Sequence, residues 1–286
     1  MVNDEKIKIP VCYYQPWPVP EDDVFLPVQA GRAVSGFTLD MRGDDVGDNI
    51  SAKNATFSEF TAWYWVWKNI KTLYPALEYI GLAHYRRYFC LEPPDAETPI
   101  HYVTAVPDMR GYGDACIRLL QDADIILSKP GYTDVPLKTH YARWHYEKDY
   151  FCMKDIVHEM YPEYAASFDT VWEIHAHMTP FCIFTARYTL FDEYFHWLFP
   201  LLFEAEKKMD VANYTPYQKR AIAFLAERLL NVYVYHNRLK VIYAPIYFIM
   251  KPVELAKFRF RKFIKKFIPY GLLEWRKEKK YVSRHR

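Results

Sequence analysis

The pattern of apolar and polar positions predicts short strands that alternate with longer helices. Short apolar runs bounded by turn residues are typical of buried strands. Such runs occur at residues 79–83 (YIGLA), 123–127 (ADIIL), 181–185 (FCIFT), 240–243 (KVIY) and 246–250 (IYFIM). A first strand is predicted over residues 7–14, at a sheet edge or a bulge because Pro10 has no N–H for the ladder. Residues 15–31 are rich in proline and are predicted to form a turn and a loop.

Apolar residues at helical spacing predict the helices between these strands. Four of them are predicted at about residues 111–121, 149–160, 163–173 and 189–208. The segments TFSE (56–59) and TPYQ (215–218) match the capping box, in which Thr is the N-cap and Glu or Gln stands at the third helical position. They open a helix with Phe57, Phe60, Tyr64 and Trp67 on one face, and a second helix to about residue 235. The alternation favours an α/β fold whose partly parallel sheet is covered on both faces.

Positive charge follows directly after the apolar run at 79–83. His84, Arg86 and Arg87 end the stretch YIGLAHYRRYF, either because the strand emerges at the surface or because it ends in an anion site. Open α/β sheets bind ligands beyond the carboxyl ends of their strands, which supports the second interpretation. Because neighbouring residues of a strand point to opposite faces, His84 and Arg86 are expected to share a face.

Three other polar stretches are candidates for a site or for ordinary structure. DDVGDNIS (44–51) places Asp and Asn around Gly47 and is either a surface turn or a binding loop, although it lacks the final Glu of an EF-hand loop. Glu227 and Arg228 lie in a helix that is apolar on most sides, as a buried ion pair or as a site pair. HAH (175–177) would place two imidazoles on one face of a strand, which suits a metal or two structural histidines.

Composition excludes several classes of protein. The chain of 286 residues is 51% apolar and 18% aromatic, so it can bury enough surface to order most of its length. Five widely spaced cysteines without a CxxC pair indicate neither a disulfide framework nor a structural zinc, and they suit a reducing compartment. GxGxxG, the Walker lysine motif and GxSxG are all missing from the sequence.

The charge is unevenly distributed, although the net charge is only +2. Residues 257–286 contain twelve Lys and Arg against two Glu, which leaves about −8 on residues 1–256. Around residues 257–268 the apolar Phe and Ile side chains fall on one side of a helical wheel and the basic ones on the other. A basic amphipathic helix of this kind is predicted to lie on an anionic membrane surface. A nucleic-acid binder is disfavoured, because the body is acidic.

Several of these stretches, taken in order, resemble one known family. VCYYQPWPV, PVQAG, DDVGDNISAKN, WYWVWKN, YIGLAHYRRYF, DADIILSKP, HYEKD, FCIFTARYTLFDEYFHWLF and LAERLLNVY resemble the family labelled domain of unknown function 4422, found among capsular and exopolysaccharide glycosyltransferases. The resemblance covers about residues 7–250. MTPF (178–181) departs from it where the family has an Asn, which bears on acceptor specificity.

The resemblance implies a single-domain glycosyltransferase of the Rossmann-like GT-A type over residues 1–252, and the charge pattern predicts a basic amphipathic, membrane-associating tail at 253–286. The implied donor is a UDP-sugar, possibly UDP-galactofuranose, and the implied acceptor is a lipid-linked saccharide of capsule, exopolysaccharide or O-antigen synthesis. The enzyme would be cytoplasmic and peripheral to the inner face of the membrane. No DxD motif follows the strand, so the arginines are expected to take the place of a divalent cation. A bound divalent cation is possible at this site but is not required.

The site residues expected from this reading fall into two groups. The candidates for the catalytic base are Asp45, Asp48 and Glu227. The expected donor-binding residues are Gln29, Asn49, Asn54, His84, Arg86, Arg87 and Arg228. Two alternatives stay open: a sugar-1-phosphate transferase, which would release UMP instead of UDP, and a saccharide-binding or scaffold protein without activity.

Overall fold

Strands and helices alternate along the computed structural model, which describes residues 5–93 and 96–265. Its strands are β1 (Ile7–Tyr13), β2 (Phe25–Gln29), β3 (Arg42–Gly43), β4 (Tyr79–His84), β5 (Arg87–Phe89), β6 (Ile100–Val103), β7 (Ile125–Ser128), β8 (Gly131–Tyr132), β9 (His177–Met178), β10 (Phe184–Arg187), β11 (Val241–Ala244) and β12 (Ile246–Ile249). Its α-helices are α1 (Asn54–Phe57), α2 (Phe60–Leu73), α3 (Tyr112–Leu119), α4 (Leu137–Trp144), α5 (Glu147–Met160), α6 (Ala165–Glu173), α7 (Tyr188–Lys208), α8 (Ala221–His236) and α9 (Pro252–Lys265).

One mixed sheet of ten strands organises the described chain. Its path is β11-β7-β10-β4-β1-β2-β3, and β5, β12 and β6 continue from the end of β4. β1 is parallel to β2 and β4, β7 is parallel to β11, and β10 runs antiparallel between β4 and β7. The carboxyl ends of β1, β2 and β4 therefore meet at one edge. The predicted α/β class is confirmed.

Apolar side chains cover both faces of this sheet. Ile80 and Leu82 of β4 belong to a core formed with α2 and helices α4 to α8. Tyr79 and Ala83 of the same strand belong to a second core, which includes α3 and β12. Burial on both faces explains why β4 reads as a continuous apolar run rather than an alternating one.

The strand predicted over residues 7–14 is present as β1, but its predicted placement and the loop predicted after it are wrong. β1 lies inside the sheet between β2 and β4, and all seven of its residues are buried, so Pro10 marks neither an edge nor a bulge. The ladder to β4 pairs Ile7 and Lys8 and then Val11 and Cys12, which leaves Pro10 out of the pairing on that side. The segment predicted as a loop forms β2, because its apolar residues pair with β1 despite Pro27.

The prediction of a capping box at residues 56–59 is also wrong. Thr56 lies inside α1, and its hydroxyl donates to the carbonyl oxygen of Lys53 at 3.0 Å. Ser58 has a φ of 50°, which breaks the chain between α1 and α2. Glu59 then precedes α2 without a side-chain cap, so its carboxylate is available elsewhere. At residues 215–218 the Thr215 hydroxyl does accept from the Gln218 N–H, at 3.3 Å, and a 3-10 turn leads into α8.

The C-terminal helix α9 docks by one side. Leu255 is buried, and the ring of Phe258 lies 4.5 Å from the ring of Tyr102. Phe260 and Phe263 on another side are more than half exposed. Residues 266–286, which carry the rest of the predicted basic tail, lie outside the described residues. In the described ranges no helix is both long enough and apolar enough to cross a bilayer.

Candidate active site

A cleft of ≈ 680 Å³ lies at the carboxyl ends of β1, β2 and β4. The ends of these strands form one wall, and the break between α1 and α2 forms another with the turn before α8. The residues that line it are Cys12, Tyr14, Ala30, Asn54, Ala55, Ser58, Glu59, His84, Tyr85, Arg86, Arg87, Pro216, Lys219 and Arg220. Four of them are cationic and one is a carboxylate, so the cleft suits an anionic ligand.

The predicted cationic stretch lines this cleft, with a geometry that strand alternation did not predict. β4 ends at His84, Tyr85 and Arg86 form a turn, and Arg87 begins β5 opposite His84 in an antiparallel pair. Because the strand has ended, the two arginines are not forced onto opposite faces. His84, Arg86 and Arg87 all reach the cleft.

Arg87 is a half-buried cation. Its guanidinium packs over the rings of Phe181 and Phe248, at 4.4 and 5.0 Å from the ring centroids. Burial is the main cause of a pKa below the usual value for arginine. Among the described residues its buried Nε has no hydrogen-bond partner, and the charges of Glu59 and Glu227 act on the guanidinium without forming an ion pair with it. A cation left in this state favours an anionic ligand, since an unpaired buried charge is costly.

Arg86 is held at the rim of the cleft by aromatic rings and by one carboxylate. Its guanidinium lies 5.5 Å from the Trp17 ring and 5.4 Å from the Tyr85 ring. Nη1 forms an ion pair of 3.2 Å with Glu254 in the first turn of α9. This contact joins the cleft to the C-terminal helix.

His84 is a neutral group in the cleft wall. Burial, and then the charge of Arg87, lowers its pKa to about 3. Its Nε2 lies 2.9 Å from the carbonyl oxygen of Phe181. Phe181 and Cys182 both have positive φ, 78° and 47°, and such strain concentrates at functional sites.

Glu227 stabilises the strained turn at Phe181 and Cys182 by a hydrogen bond to its backbone. Its Oε1 accepts a hydrogen bond of 2.7 Å from the N–H of Phe181, whose ring contacts Arg87. Glu227 is absent from the residues that line the cleft within the described chain. Its neighbour Arg228 is buried among the helices, where Nη1 donates to the carbonyl oxygen of Phe224 at 2.7 Å and the guanidinium lies 4.9 Å from the Tyr141 ring.

The wall formed by the break between α1 and α2 and the turn before α8 contains residues that were not predicted from the sequence. Arg220 donates from Nε to the hydroxyl of Ser58 at 2.8 Å, and its Nη2 lies 3.7 Å from Oε2 of Glu59. Lys219 lies beside it in the 3-10 turn that precedes α8. One signal could have identified both cations: basic residues just before a helix are unfavourable for the helix dipole, so their placement there calls for another reason.

The acidic stretch at residues 44–51 makes its own contacts outside the cleft. Asp45 accepts from Nε of Arg32 at 2.7 Å, and this bond lowers the pKa of Asp45. Asp48 accepts from the hydroxyl of Tyr64 at 3.1 Å. Asn49 donates to the carbonyl oxygen of Gly47 at 2.8 Å and is half-buried. These three predicted residues are not brought to the cleft.

The two remaining predicted donor-binding residues differ in position. Asn54 lines the cleft, and its amide donates to the carbonyl oxygen of Ser58 at 2.7 Å. Gln29 is fully buried, where its amide donates to the carbonyl oxygen of Phe37 at 2.9 Å and accepts from the N–H of Leu39 at 2.8 Å. Its hydrogen bonds hold the loop after β2.

Within residues 5–93 and 96–265, no three His, Cys, Asp or Glu side chains come together in a group that could hold a metal ion. His175 and His177, the pair in HAH, stack with ring centroids 5.0 Å apart, and β9 begins only at His177. They lie outside the cleft lining.

Comparison with known proteins found a similar solved structure and a matching family model. The chain matches a solved structure described as the WbbM bifunctional glycosyltransferase in apo form, with a TM-score of 0.79 and 28% sequence identity. The match covers 86% of this chain and 46% of the other, so the chain spans about half the length of that protein. No curated protein matches the chain. A family model, domain of unknown function (DUF4422), matches residues 8–238. This match covers most of the chain and includes the strands and helices that build the cleft, so the protein belongs to the DUF4422 family.

Proposed function

We propose that the chain is a glycosyltransferase that moves a hexose from a nucleotide-sugar donor to a saccharide acceptor. The observation that carries this proposal is the cationic cleft at the carboxyl edge of the sheet, where Arg87 is half-buried and forms no ion pair with a carboxylate among the described residues. The likeness to a structure described as a glycosyltransferase supports the same activity.

The chemistry of transfer explains the charge of the cleft. Breaking the bond between sugar and diphosphate develops negative charge on the departing phosphate oxygen. Guanidinium groups stay charged and donate paired hydrogen bonds to phosphate, so Arg86 and Arg87 stabilise this charge. Lys219 and Arg220 face the same space and extend the positive field. In this role the cations replace a divalent metal, which is not required.

The finer specificity proposed is a UDP-sugar donor, with UDP-galactofuranose as one candidate. The acceptor would be a lipid-linked saccharide of capsule, exopolysaccharide or O-antigen synthesis. Asn54 and His84 are the other predicted donor contacts that line the cleft. Both can hydrogen-bond the sugar or ribose hydroxyls.

We also propose a peripheral position at the inner face of the cytoplasmic membrane, through residues 257–286. Phe260, Phe263 and Ile264 of α9 are 63%, 58% and 41% exposed, while Leu255 and Phe258 dock the helix on the domain. An exposed aromatic face on a basic helix suits the interface of an anionic bilayer. The double variant Phe260→Asp, Phe263→Asp should lose sedimentation with anionic vesicles and keep its UDP affinity. Unchanged sedimentation would contradict the membrane role of this face.

The proposed activity is tested by incubating the full chain with UDP-hexoses and a saccharide acceptor, with EDTA or Mn²⁺ present. We expect free UDP and a glycosylated product, with most of the activity retained in EDTA. Release of UMP would instead indicate phosphosugar transfer. No nucleotide release and no UDP binding would contradict an enzymatic role.

A further inference from the structure

Glu59 is the single carboxylate among the described residues that line the cleft. The carboxylates expected from the sequence are engaged elsewhere: Asp45 with Arg32, Asp48 with Tyr64, and Glu227 with the Phe181 N–H. Transfer of a sugar to a hydroxyl group needs a proton acceptor near the reacting atoms. We infer that Glu59 is the catalytic base of the transfer reaction, an assignment that rests on the proposed function.

The local backbone presents Glu59 to the cleft. Ser58, with its positive φ, separates α1 from α2, and Glu59 follows it directly before the first residue of α2. Strained backbone of this kind persists where the surrounding structure fixes it, and it concentrates at active sites. Asn54 holds the break by donating from its amide to the carbonyl oxygen of Ser58. The side chain of Glu59 is 22% exposed, so it is largely enclosed and still reachable from the cleft.

Arg220 orients the carboxylate without saturating it. The distance between Nη2 of Arg220 and Oε2 of Glu59 is 3.7 Å, which is an ion pair longer than a hydrogen bond. Arg220 is itself fixed by its hydrogen bond to Ser58. Among the described residues no hydrogen bond reaches the Glu59 carboxylate, whereas a hydrogen bond of 2.7 Å occupies one carboxylate oxygen each of Asp45 and Glu227.

The other titratable groups of the cleft wall are poor proton acceptors. His84 has its pKa lowered to about 3, so its neutral ring takes up a proton only in acid. Burial raises the pKa of the Cys12 thiol and of the Tyr85 phenol, so both remain protonated. The four cations have no lone pair for a proton.

The resulting step balances as follows. The acceptor hydroxyl oxygen attacks the anomeric carbon and forms the new C–O bond, and its proton moves to Glu59. The bond from the anomeric carbon to the phosphate oxygen breaks, and its electron pair leaves on the nucleoside diphosphate beside Arg86 and Arg87. Direct displacement of this kind inverts the anomeric configuration.

Glu59→Gln tests the assignment, with Asp48→Asn as the matched control at a carboxylate outside the cleft. We expect Glu59→Gln to lower the turnover of glycosyl transfer by roughly 10²-fold or more, as the loss of a general base does. Its UDP affinity should stay within about threefold of wild type, and Asp48→Asn should turn over normally.

Three results would overturn the assignment. Near-normal turnover of Glu59→Gln would remove Glu59 from the chemistry and leave the proposed function intact. A large loss of UDP affinity would show that Glu59 supports the phosphate site through Arg220 instead. Failure of the wild-type chain to bind UDP or release it from a donor would remove the proposed function itself.

Discussion

Two polar stretches follow strands at the same edge of the sheet, and the structure uses them in opposite ways. Residues 44–51 follow β3, and residues 84–87 run from the last residue of β4 to the first residue of β5. In the first stretch the carboxylate of Asp44 is fully buried and accepts from the N–H groups of Gly31 and Arg32 and from the Ser51 hydroxyl. In the second, Arg87 is half-buried, and among the described residues its Nε has no hydrogen-bond partner and its guanidinium forms no ion pair.

The difference shows that polar side chains at the end of a strand form a binding site when the protein itself provides no hydrogen-bond or ion-pair partner for them. The carboxylates of the acidic stretch have hydrogen-bond partners within the protein, so this stretch stabilises a loop. The cationic stretch leaves donors directed into a cleft of ≈ 680 Å³. The first stretch should therefore control the stability of the fold, and the second should control the binding of an anion.

The largest expected effect is on the acidic stretch. Asp44→Ala should lower the free energy of unfolding by about 3 kcal/mol, because it leaves buried N–H groups without acceptors. The UDP affinity of the folded fraction should stay near wild type. Denaturant unfolding and UDP titration measure the two quantities. A stable Asp44→Ala that has lost UDP binding would reverse the comparison.

Arg87→Met should weaken UDP binding by about 2–3 kcal/mol, the value of a charge-assisted hydrogen-bond pair in a desolvated site. Methionine preserves the packing against Phe181 and Phe248, so thermal stability should change little or rise. Arg32→Met, which removes the partner of Asp45, is the matched control and should leave UDP binding unchanged. Equal UDP affinity for wild type and Arg87→Met would separate Arg87 from the phosphate.

Arg86→Met should have a smaller effect on UDP, of about 1.5 kcal/mol, because Glu254 competes for this guanidinium. The same competition predicts that Glu254→Gln tightens UDP binding by a few fold. Calorimetry on both variants tests the pair. If Glu254→Gln weakened binding, the ion pair would be holding Arg86 in place for phosphate.

The smallest effect concerns Asp45. The Arg32 guanidinium holds the pKa of Asp45 below its usual value of 3.8. The stability from this pair is therefore present above about pH 4 and is lost as the pH falls through the lower pKa of the folded state. Because the pair is near the surface, the loss should be below about 1 kcal/mol. Unfolding of Asp45→Asn should show correspondingly less acid dependence than wild type.

The sequence predicted the elements with strong apolar patterns and failed where local signals conflicted with tertiary contacts. The predictions of β4 and α7 were correct, because the continuous apolar run of β4 and the apolar periodicity of α7 both follow directly from burial. β2 was missed because Pro27 outweighed its apolar residues, and the pairing with β1 that forms it is not a local property. The helix breaks between α1 and α2 because Ser58 has a positive φ. No glycine stands at this position to indicate such a backbone conformation in the sequence.

The candidate site was predicted in part for the same reason. The stretch from His84 to Arg87 was identified because charge at the end of a buried strand is visible in the sequence. Glu59 was read as a helix cap, since TFSE matches the capping box and only the three-dimensional structure shows that the cap does not form. Lys219 and Arg220 join the cleft through the packing of α8, which lies far from β4 along the chain.

Calorimetric titration of the full chain with UDP, UMP and uridine tests the central claim most directly. The cations of the cleft are proposed to bind the diphosphate, so affinity should rise from uridine to UMP and again, by about tenfold or more, to UDP. The gain should shrink as the salt concentration rises, because added ions screen the charges. Equal affinity for UDP and uridine, or no binding of either, would contradict the assignment of this cleft as a nucleoside-diphosphate site.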